Sequence, residues 1–340
     1  YGMPMTFYMG SRSSYGSCWN NVMASTDFVD SYEWADGRPF DWEEVIPGFT
    51  TDDKIKDATF RTTLSDDKTK VIAYPKDREK VMEMYGKRDP RMEVTIILPF
   101  SEYKGWYSNK KKDSEYVIAN AGMAQEANGF IRANGNYECY LWRKFVAEYD
   151  MDGAINNRAD TPINFPLIRY AEVLLNYAEC AAESGKTEEA YGVLKEIRKR
   201  AGILPGNDGM YGLATGMNSG ELVKAVLFER KIEFAYEGKR YWDLRRRRLF
   251  AEELNGKKRH GVQPILKIDK EEFLKIENVV NLDKDYGTYF RDSIVELDKV
   301  FSIDFKDNYY FYALPEKHLQ TNSNLQQTQG WDNGTFNPYE

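Results

Sequence analysis

Hydrophobic positions recur with a helical period over residues 166–203, in two stripes separated by a short polar turn. Pro166 suits the first turn of a helix, and Gly185 suits the left-handed residue that ends one. Thr187, followed by two glutamates, suits the start of a second helix, because acids are favoured at the positive helix end. The pattern therefore predicts a helix hairpin with the spacing of a tetratricopeptide-type repeat.

A third helix is predicted to begin after Ser219, whose side chain can cap it, and to end at Gly238. A short further helix carries the run Arg240–Arg248. The glycine-rich stretch Gly209–Gly220 lacks the Lys-Ser/Thr ending of a phosphate-binding loop. We therefore interpret that stretch as a connector between helices.

The rest of the chain has a less regular pattern, punctuated by Gly, Pro, Asn and Ser. Short apolar runs such as Val94–Phe100 predict strands, and the aromatic run Tyr309–Pro315 also favours a strand. The polar stretch Lys104–Tyr116 predicts a surface loop that carries exposed aromatic rings.

These patterns predict a helical core between two less regular, loop-rich regions with a few short strands. The expected organisation is one unit with three parts: a loop-rich, ligand-facing region over 1–160, a helical core over 161–250, and a loop-rich tail over 251–340.

The third predicted helix has an unusual charge pattern. Glu229, Glu233 and Glu237 recur every four residues and so lie along one side, with Glu229 inside the apolar arc. A carboxylate in that position is desolvated and costly unless it is paired. Arginines are the expected partners because their forked guanidinium suits a carboxylate; the candidates are Arg198, Arg230, Arg240 and Arg245. The predicted structural ion-pair network contains Glu229, Arg230, Glu233, Glu237, Arg240 and Asp243.

Two alternatives remain open for these charges. Glu229 and Glu233 could form the acid/base pair of a glycoside hydrolase, although two residues on one helix face do not easily straddle a sugar. The run Arg245–Arg248 could bind phosphate, although four consecutive arginines point all around a helix.

Composition narrows the function classes. The formal net charge is −7 and the pI is near 5.3, which argues against a nucleic-acid-binding protein. His260 and His318 are the only histidines, and the three cysteines have neither zinc nor disulfide spacing. This scarcity argues against His-based catalytic triads and His-rich metal sites. We predict no metal ligands and no cofactor, although a cation held by loop carboxylates stays open. No apolar run approaches the length of a membrane span.

Several sequence elements, taken in order, resemble those of the SusD/RagB family. They are "DFVDSYEWADGRPF", "KRDPRMEVTI", "WRKF", "RYAEVLLNYAEC", "IRKRAGI", "FERKIEFAYEGKRYWDLRRR" and "YYFYALPEKHLQTNSNLQQTQGW". The tail has "TNSNL" and "QQTQGW" where Asn-Pro pairs are commoner in the family, and the run Arg245–Arg248 is more basic than usual. The resemblance runs from about residue 20 to the C-terminus.

This resemblance implies a mainly α fold, with tetratricopeptide-like helix pairs, long irregular loops and a few short strands. It also implies a surface lipoprotein of Bacteroidetes-type bacteria. Its implied role is to capture an oligosaccharide and present it to a SusC-like TonB-dependent transporter in the outer membrane, without catalysis. The chain starts at Tyr1 and none of its cysteines lies in a lipobox, so we expect a processed chain or fragment that lacks the family's lipidated N-terminal part. A binder of peptide or another non-sugar nutrient is the alternative on the same scaffold.

Sugar recognition needs flat apolar ring faces together with planar polar groups for the hydroxyls. Two aromatic-rich loops combine these features, and neither is implied by the family resemblance. The candidate ligand-binding residues are Tyr15, Trp19 and Asn20 in the first loop, and Trp106, Tyr107 and Asn109 in the second.

Overall fold

The computed structural model describes the chain in segments, and the structural statements below concern these residues. They are residues 22, 24–52, 54–55, 59, 63–64, 71–73, 76–99, 101–105, 114–117, 140–147, 162–266, 268–276, 290–296 and 302–338.

Helices dominate the regular structure of the described chain, which confirms the predicted mainly α fold. In chain order they are α1 Thr26–Asp30, α2 Arg78–Gly86, α3 Arg91–Thr95, α4 Tyr170–Glu183, α5 Thr187–Ala201, α6 Ser219–Glu233, α7 Lys239–Arg246, α8 Phe250–Leu254, α9 Lys270–Ile276 and α10 Glu316–Thr321. None of the helices described here combines the length and the apolar character that a bilayer span requires.

The described strands pair two by two as antiparallel ladders: β1 with β2, β3 with β6, β4 with β5, and β7 with β8. They are β1 Thr63–Leu64, β2 Val71–Ala73, β3 Ile96–Ile97, β4 Glu102–Gly105, β5 Ser114–Val117, β6 Leu141–Trp142, β7 His260–Leu266 and β8 Phe290–Glu296. In the predicted strand Val94–Phe100, Val94 belongs to α3 and the strand covers two residues. The predicted surface loop Lys104–Tyr116 begins at the end of β4 and finishes within β5, and residues 106–113 between the two strands lie outside the described residues.

The predicted helix hairpin is formed by α4 and α5. Gly185 has a φ of +74° and ends α4, and Gly202 has a φ of +89° and ends α5. The start of α4 differs from the prediction, because Arg169 before it is extended, with φ −123° and ψ 154°. Pro166 therefore precedes the helix instead of opening it.

Helix α6 is capped by Asn218, not by the predicted Ser219. The Asn218 side chain accepts from the backbone N–H of Glu221, whose carboxylate accepts from the Asn218 N–H, which is a complete capping box. The helix ends at Glu233, four residues before Glu237, the last residue of the predicted helix. Tyr236 then takes a left-handed φ of +62°. Glu237 is thus held in a turn after the helix.

The aromatic run 309–315 forms no ladder in the described chain, so the predicted strand is wrong. Side chains satisfy its carbonyl groups instead. The indole of Trp331 donates to Phe311 O at 2.9 Å, the amide of Gln327 donates to Leu314 O at 3.0 Å, and Arg245 donates to Tyr310 O. These carbonyl groups are therefore satisfied without a partner strand.

The chain divides into two compact units. The described residues of Tyr1–Glu237 and Arg259–Leu297 form the first, and those of Gly238–Lys258 and Asp298–Glu340 form the second. Among its described residues, the first unit has two hydrophobic clusters, one rich in aromatic rings around Tyr32 and the other between α4, α5 and α6. The second unit has a small aromatic cluster around Phe250. The three-part division remains a prediction.

Candidate functional site

The carboxylate of Glu229 lies on the buried side of α6 and has no exposed surface. Its Oε1 accepts from Arg91 Nη1 at 2.6 Å, and its Oε2 accepts from Arg198 Nε at 2.9 Å. Each oxygen is therefore matched by its own guanidinium, as a buried carboxylate requires.

Arg198 and Arg91 extend these contacts to two further acids. Arg198 Nη2 lies 2.9 Å from Glu33, and Arg91 Nη2 lies 2.7 Å from Asp89. Burial raises the pKa of Glu33 to about 7, because desolvation outweighs the attraction of Arg198 and the neighbouring Glu229 adds to the rise. Arg198 thus bridges two carboxylates, and Arg91 bridges three, the third being Glu233.

A close backbone contact holds the Arg198 end of this arrangement. Arg198 Nη1 donates to Tyr211 O at 2.8 Å, in the glycine-rich connector. Gly37 and Gly212 both have left-handed φ angles and pack backbone to backbone; a Cβ at Gly212 would lie 2.4 Å from the Gly37 Cα. Only glycine at these two positions allows the connector to approach Glu33 and Arg198 in this way.

One turn further along, Glu233 is held by three arginines. Its Oε1 lies 2.9 Å from Arg169 Nη1 and 2.6 Å from Arg200 Nη2, and its Oε2 lies 3.2 Å from Arg91 Nη1. Burial alone would raise the pKa of Glu233, but the hydrogen bonds from Arg200 and Arg169 and the charge of Arg91 outweigh it, so that pKa lies below its ordinary value. Glu233 is therefore held ionised.

Glu237, in the turn after α6, is bound by Arg169 and Lys144. Arg169 donates from Nε at 2.9 Å and from Nη2 at 2.8 Å, a bidentate arrangement, and Lys144 Nζ donates at 2.6 Å. Desolvation lowers the pKa of Lys144, only partly offset by Glu237. Arg169 therefore joins the last two acids of the series.

Together these residues form one group with equal numbers of acidic and basic side chains, which we name the charge cluster. It contains five carboxylates and five cations: Glu33, Asp89, Glu229, Glu233 and Glu237 with Arg91, Lys144, Arg169, Arg198 and Arg200. It links α3, α5 and α6 with the start of α4 and the segment after β6.

The other residues of the predicted network have different partners. Arg230 Nη1 donates to Asn176 Oδ1 at 2.7 Å, and its guanidinium lies over the Phe234 ring. In the second unit, Arg240 pairs with Glu253 at 2.9 Å, instead of with the α6 acids, and Asp243 pairs with Arg246 at 2.8 Å. Sequence reasoning identified Arg198 as a candidate partner but missed Arg91, Lys144, Arg169 and Arg200.

The two alternative interpretations can be compared with these contacts. Glu229 is inaccessible and both of its oxygens are occupied, so it cannot act on a substrate beside Glu233. In the arginine run, Arg245 donates to the backbone of Tyr309 and Tyr310 and stacks on Tyr312. These contacts favour a structural role over phosphate binding.

The predicted ligand-binding residues Tyr15, Trp19, Asn20, Trp106, Tyr107 and Asn109 all lie outside the described residues. Their assignment remains a prediction.

A cleft of about 570 Å³ opens beside the charge cluster in the first unit. Its charged lining consists of Arg91, Lys144, Arg169, Arg200, Glu233 and Glu237. Its other walls are mostly apolar and include Pro90, Val94, Phe145, Pro166 and Ile232. A volume of this size, with apolar walls and a few convergent polar groups, is typical of a small-ligand site.

The mainly helical fold contains a helix hairpin, a buried charge cluster and an open cleft beside that cluster. Comparison with known protein families identifies the family to which the chain belongs. The SusD family model, SusD_RagB, matches residues 2–331. The chain belongs to the SusD family, as the sequence resemblance predicts.

Individual relatives show the same similarity. SusD-like protein P2 of Formosa agariphila is 33% identical over 154 residues, which is 43% of this chain and 30% of that protein. SusD-like protein P38 of the same organism is 36% identical over 82 residues, 24% of this chain and 16% of that protein.

A crystal structure of a SusD-like protein from Bacteroides fragilis superposes with a TM-score of 0.57 at 20% identity, and the alignment covers 97% of this chain and 50% of that chain. This likeness shows the fold. Because the alignment covers 50% of the solved relative, the chain spans about half the length of that protein.

Proposed function

We propose that this chain is part of a cell-surface glycan-binding protein that captures an oligosaccharide and delivers it to a SusC-like TonB-dependent transporter. The observation that carries the proposal is the family model, which matches almost the whole chain. Membership of this family supports a general role in nutrient binding and uptake. Attachment to the outer membrane through a lipid anchor elsewhere in the protein is part of the same proposal.

The cleft beside the charge cluster is the proposed place of contact within the described residues, together with the aromatic loops predicted from the sequence. Phe145 and the two prolines offer apolar surface to the C–H face of a sugar ring, and the cations offer donors to its hydroxyl groups. No catalytic step is proposed, because the buried acid of the carboxylate pair has no access to a ligand.

Isothermal titration against a broad panel of oligosaccharides tests this function, with a matched panel of peptides as the comparison. We expect saturable binding of at least one glycan, and chromatography should recover that glycan intact. Phe145→Ala should weaken the binding, whereas Phe336→Ala, which removes a half-exposed ring in the second unit, should not. Binding of peptides alone would contradict the proposal and favour the peptide-binding alternative.

Delivery to a transporter is tested separately in the native organism. Affinity purification from outer membranes should recover a SusC-like TonB-dependent protein together with this one, and protease treatment of intact cells should remove the tagged protein. Recovery without such a partner, with full protection from the protease, would contradict the proposed location and role.

A further inference from the structure

The charge cluster has as many acids as cations, but the acids and the cations are not equally exposed. The side chains of Glu233 and Glu237 are 4% and 1% exposed, whereas those of Arg200, Arg169 and Lys144 are 52%, 27% and 22% exposed. All five residues line the cleft. The acids therefore lie behind the cations, and the accessible surface of the cleft is positive although the chain as a whole carries a charge of −7.

The accessible cations also have donors to spare. Arg200 contacts Glu233 through Nη2 alone, and no further partner of Arg200 is recorded among the described residues, so its Nε and Nη1 donors are free. Lys144 Nζ carries three hydrogens and donates two bonds, to Ala235 O and Glu237. These donors are available to an acceptor that enters the cleft.

The apolar wall beside these donors is held in an uncommon conformation. Phe145 has a left-handed φ of +63°, which is rare for an aromatic residue, and its ring packs 5.1 Å from that of Phe165. Lys144 Nζ lies 5.3 Å from the centre of the same ring. A cation and a fixed ring face are thus adjacent on one wall of the cleft, and strained backbone of this kind is concentrated at binding sites.

We propose that this cleft binds the carboxylate of a uronic acid residue in an acidic oligosaccharide, with Arg200 as its main contact and Lys144 and Arg169 beside it. A guanidinium fork matches the two oxygens of a planar carboxylate, and Phe145 faces the sugar ring. This inference rests on the proposed function, since it names the class of glycan bound. The net negative charge of the chain opposes non-specific attraction of acidic polymers, so such binding needs this local site.

The test compares uronate oligosaccharides with their own methyl esters, which differ in charge but keep the same sugar skeleton. Isothermal titration uses galacturonan, mannuronan and glucuronan fragments, each as acid and as ester. We expect at least one acid to bind about tenfold or more tightly than its ester, since a charge-assisted hydrogen bond is lost in the ester. The advantage of the acid should shrink as salt is added.

Arg200→Gln is the site variant and Lys199→Gln is its control, because Lys199 is the neighbouring exposed cation on α5 but does not line the cleft. Arg200→Gln leaves Glu233 paired with Arg91 and Arg169, so folding should persist. It should abolish the preference for the acid, and Lys199→Gln should preserve it. Equal affinity for acid and ester in wild-type protein, or a preference that survives Arg200→Gln, would overturn the inference.

Failure of this inference is distinguishable from failure of the proposed function. Binding of neutral glycans or esters without any preference for the acid contradicts the acidic-ligand inference and leaves glycan capture standing. Absence of binding to every glycan in both panels contradicts both.

Discussion

Replacing Glu229 by Gln tests whether the charges on α6 hold the fold together. The substitution keeps the shape of the side chain but removes its charge and turns one acceptor into a donor. In the structure that donor faces either Arg91 Nη1, now at 2.6 Å, or Arg198 Nε, now at 2.9 Å. A donor would then oppose a donor in a site with no exposed surface.

The size of the effect follows from what remains bound. Loss of one member of a buried ion pair costs about 3–5 kcal/mol. Arg91 keeps Asp89 and Glu233, and Arg198 keeps Glu33 and the Tyr211 carbonyl, so we expect the lower end, about 3 kcal/mol. At roughly 2–4 °C per kcal/mol for domains of 150–250 residues, the melting temperature should fall by roughly 6–12 °C.

Thermal unfolding followed by tryptophan fluorescence and by circular dichroism measures this change. The control is Glu196→Gln, which removes an exposed carboxylate from α5 and should shift the transition by less than about 0.5 kcal/mol. If Glu229→Gln melts at the wild-type temperature, the charge cluster does not stabilise the first unit and the structural argument is refuted.

Three further predictions concern other parts of the structure. Arg240→Ala should cost less than about 1 kcal/mol in chemical denaturation, because its pair with Glu253 is partly exposed; a loss as large as that for Glu229→Gln would contradict this. Burial raises the pKa of Asp30 from 3.8 to about 7 against the opposing effect of Arg88, so the folded state binds an extra proton between about pH 4 and 7. Protonated Asp30 therefore contributes its full stabilisation below about pH 4, and this contribution is lost as the pH rises through 7. Asp30→Asn should make the melting temperature decline less steeply over this pH range. An unchanged slope would refute the prediction. Gly212→Ala should destabilise far more than Gly209→Ala, because both have positive φ but only Gly212 lacks room for a Cβ; equal melting temperatures would refute the close contact.

The helices that could be predicted from the sequence are those with long, regular apolar stripes. The hairpin of α4 and α5 follows from its 3.6-residue period and from Gly185. The errors lie at the ends, where tertiary contacts decide. Arg169 lies just before α4 and donates hydrogen bonds to Glu233 and Glu237. These contacts join residues far apart in the sequence, so no local helix propensity predicts them.

For the charge cluster, the pattern along one helix predicted a buried acid but could not identify all of its partners. Glu229 falls within the apolar arc, so pairing was required. Arg91 and Lys144 come from segments that are distant in the sequence, and a helical wheel contains no information about them. Their sequence elements, "KRDPR" and "WRKF", resemble motifs of the family, but nothing in them identifies an ion-pair partner.

The aromatic run 309–315 is a case in which local composition predicts the wrong secondary structure. Its composition favours a strand, because β-branched and aromatic residues are common in strands. Its carbonyl groups are instead occupied by side chains of Arg245, Gln327 and Trp331, two of which follow it in the sequence. Competition of side chains for backbone groups cannot be read from a period of hydrophobic residues.

The most direct test of the account is to incubate the protein with a glycan that it binds and to analyse that glycan afterwards by chromatography. We predict that the wild-type protein binds the glycan saturably and that the glycan is recovered intact. The same result is expected for Glu229→Gln at a temperature where the variant is folded. Release of shorter products that disappears in Glu229→Gln, with the melting temperature unchanged, would contradict it, since Glu229 would then be catalytic and not part of the framework.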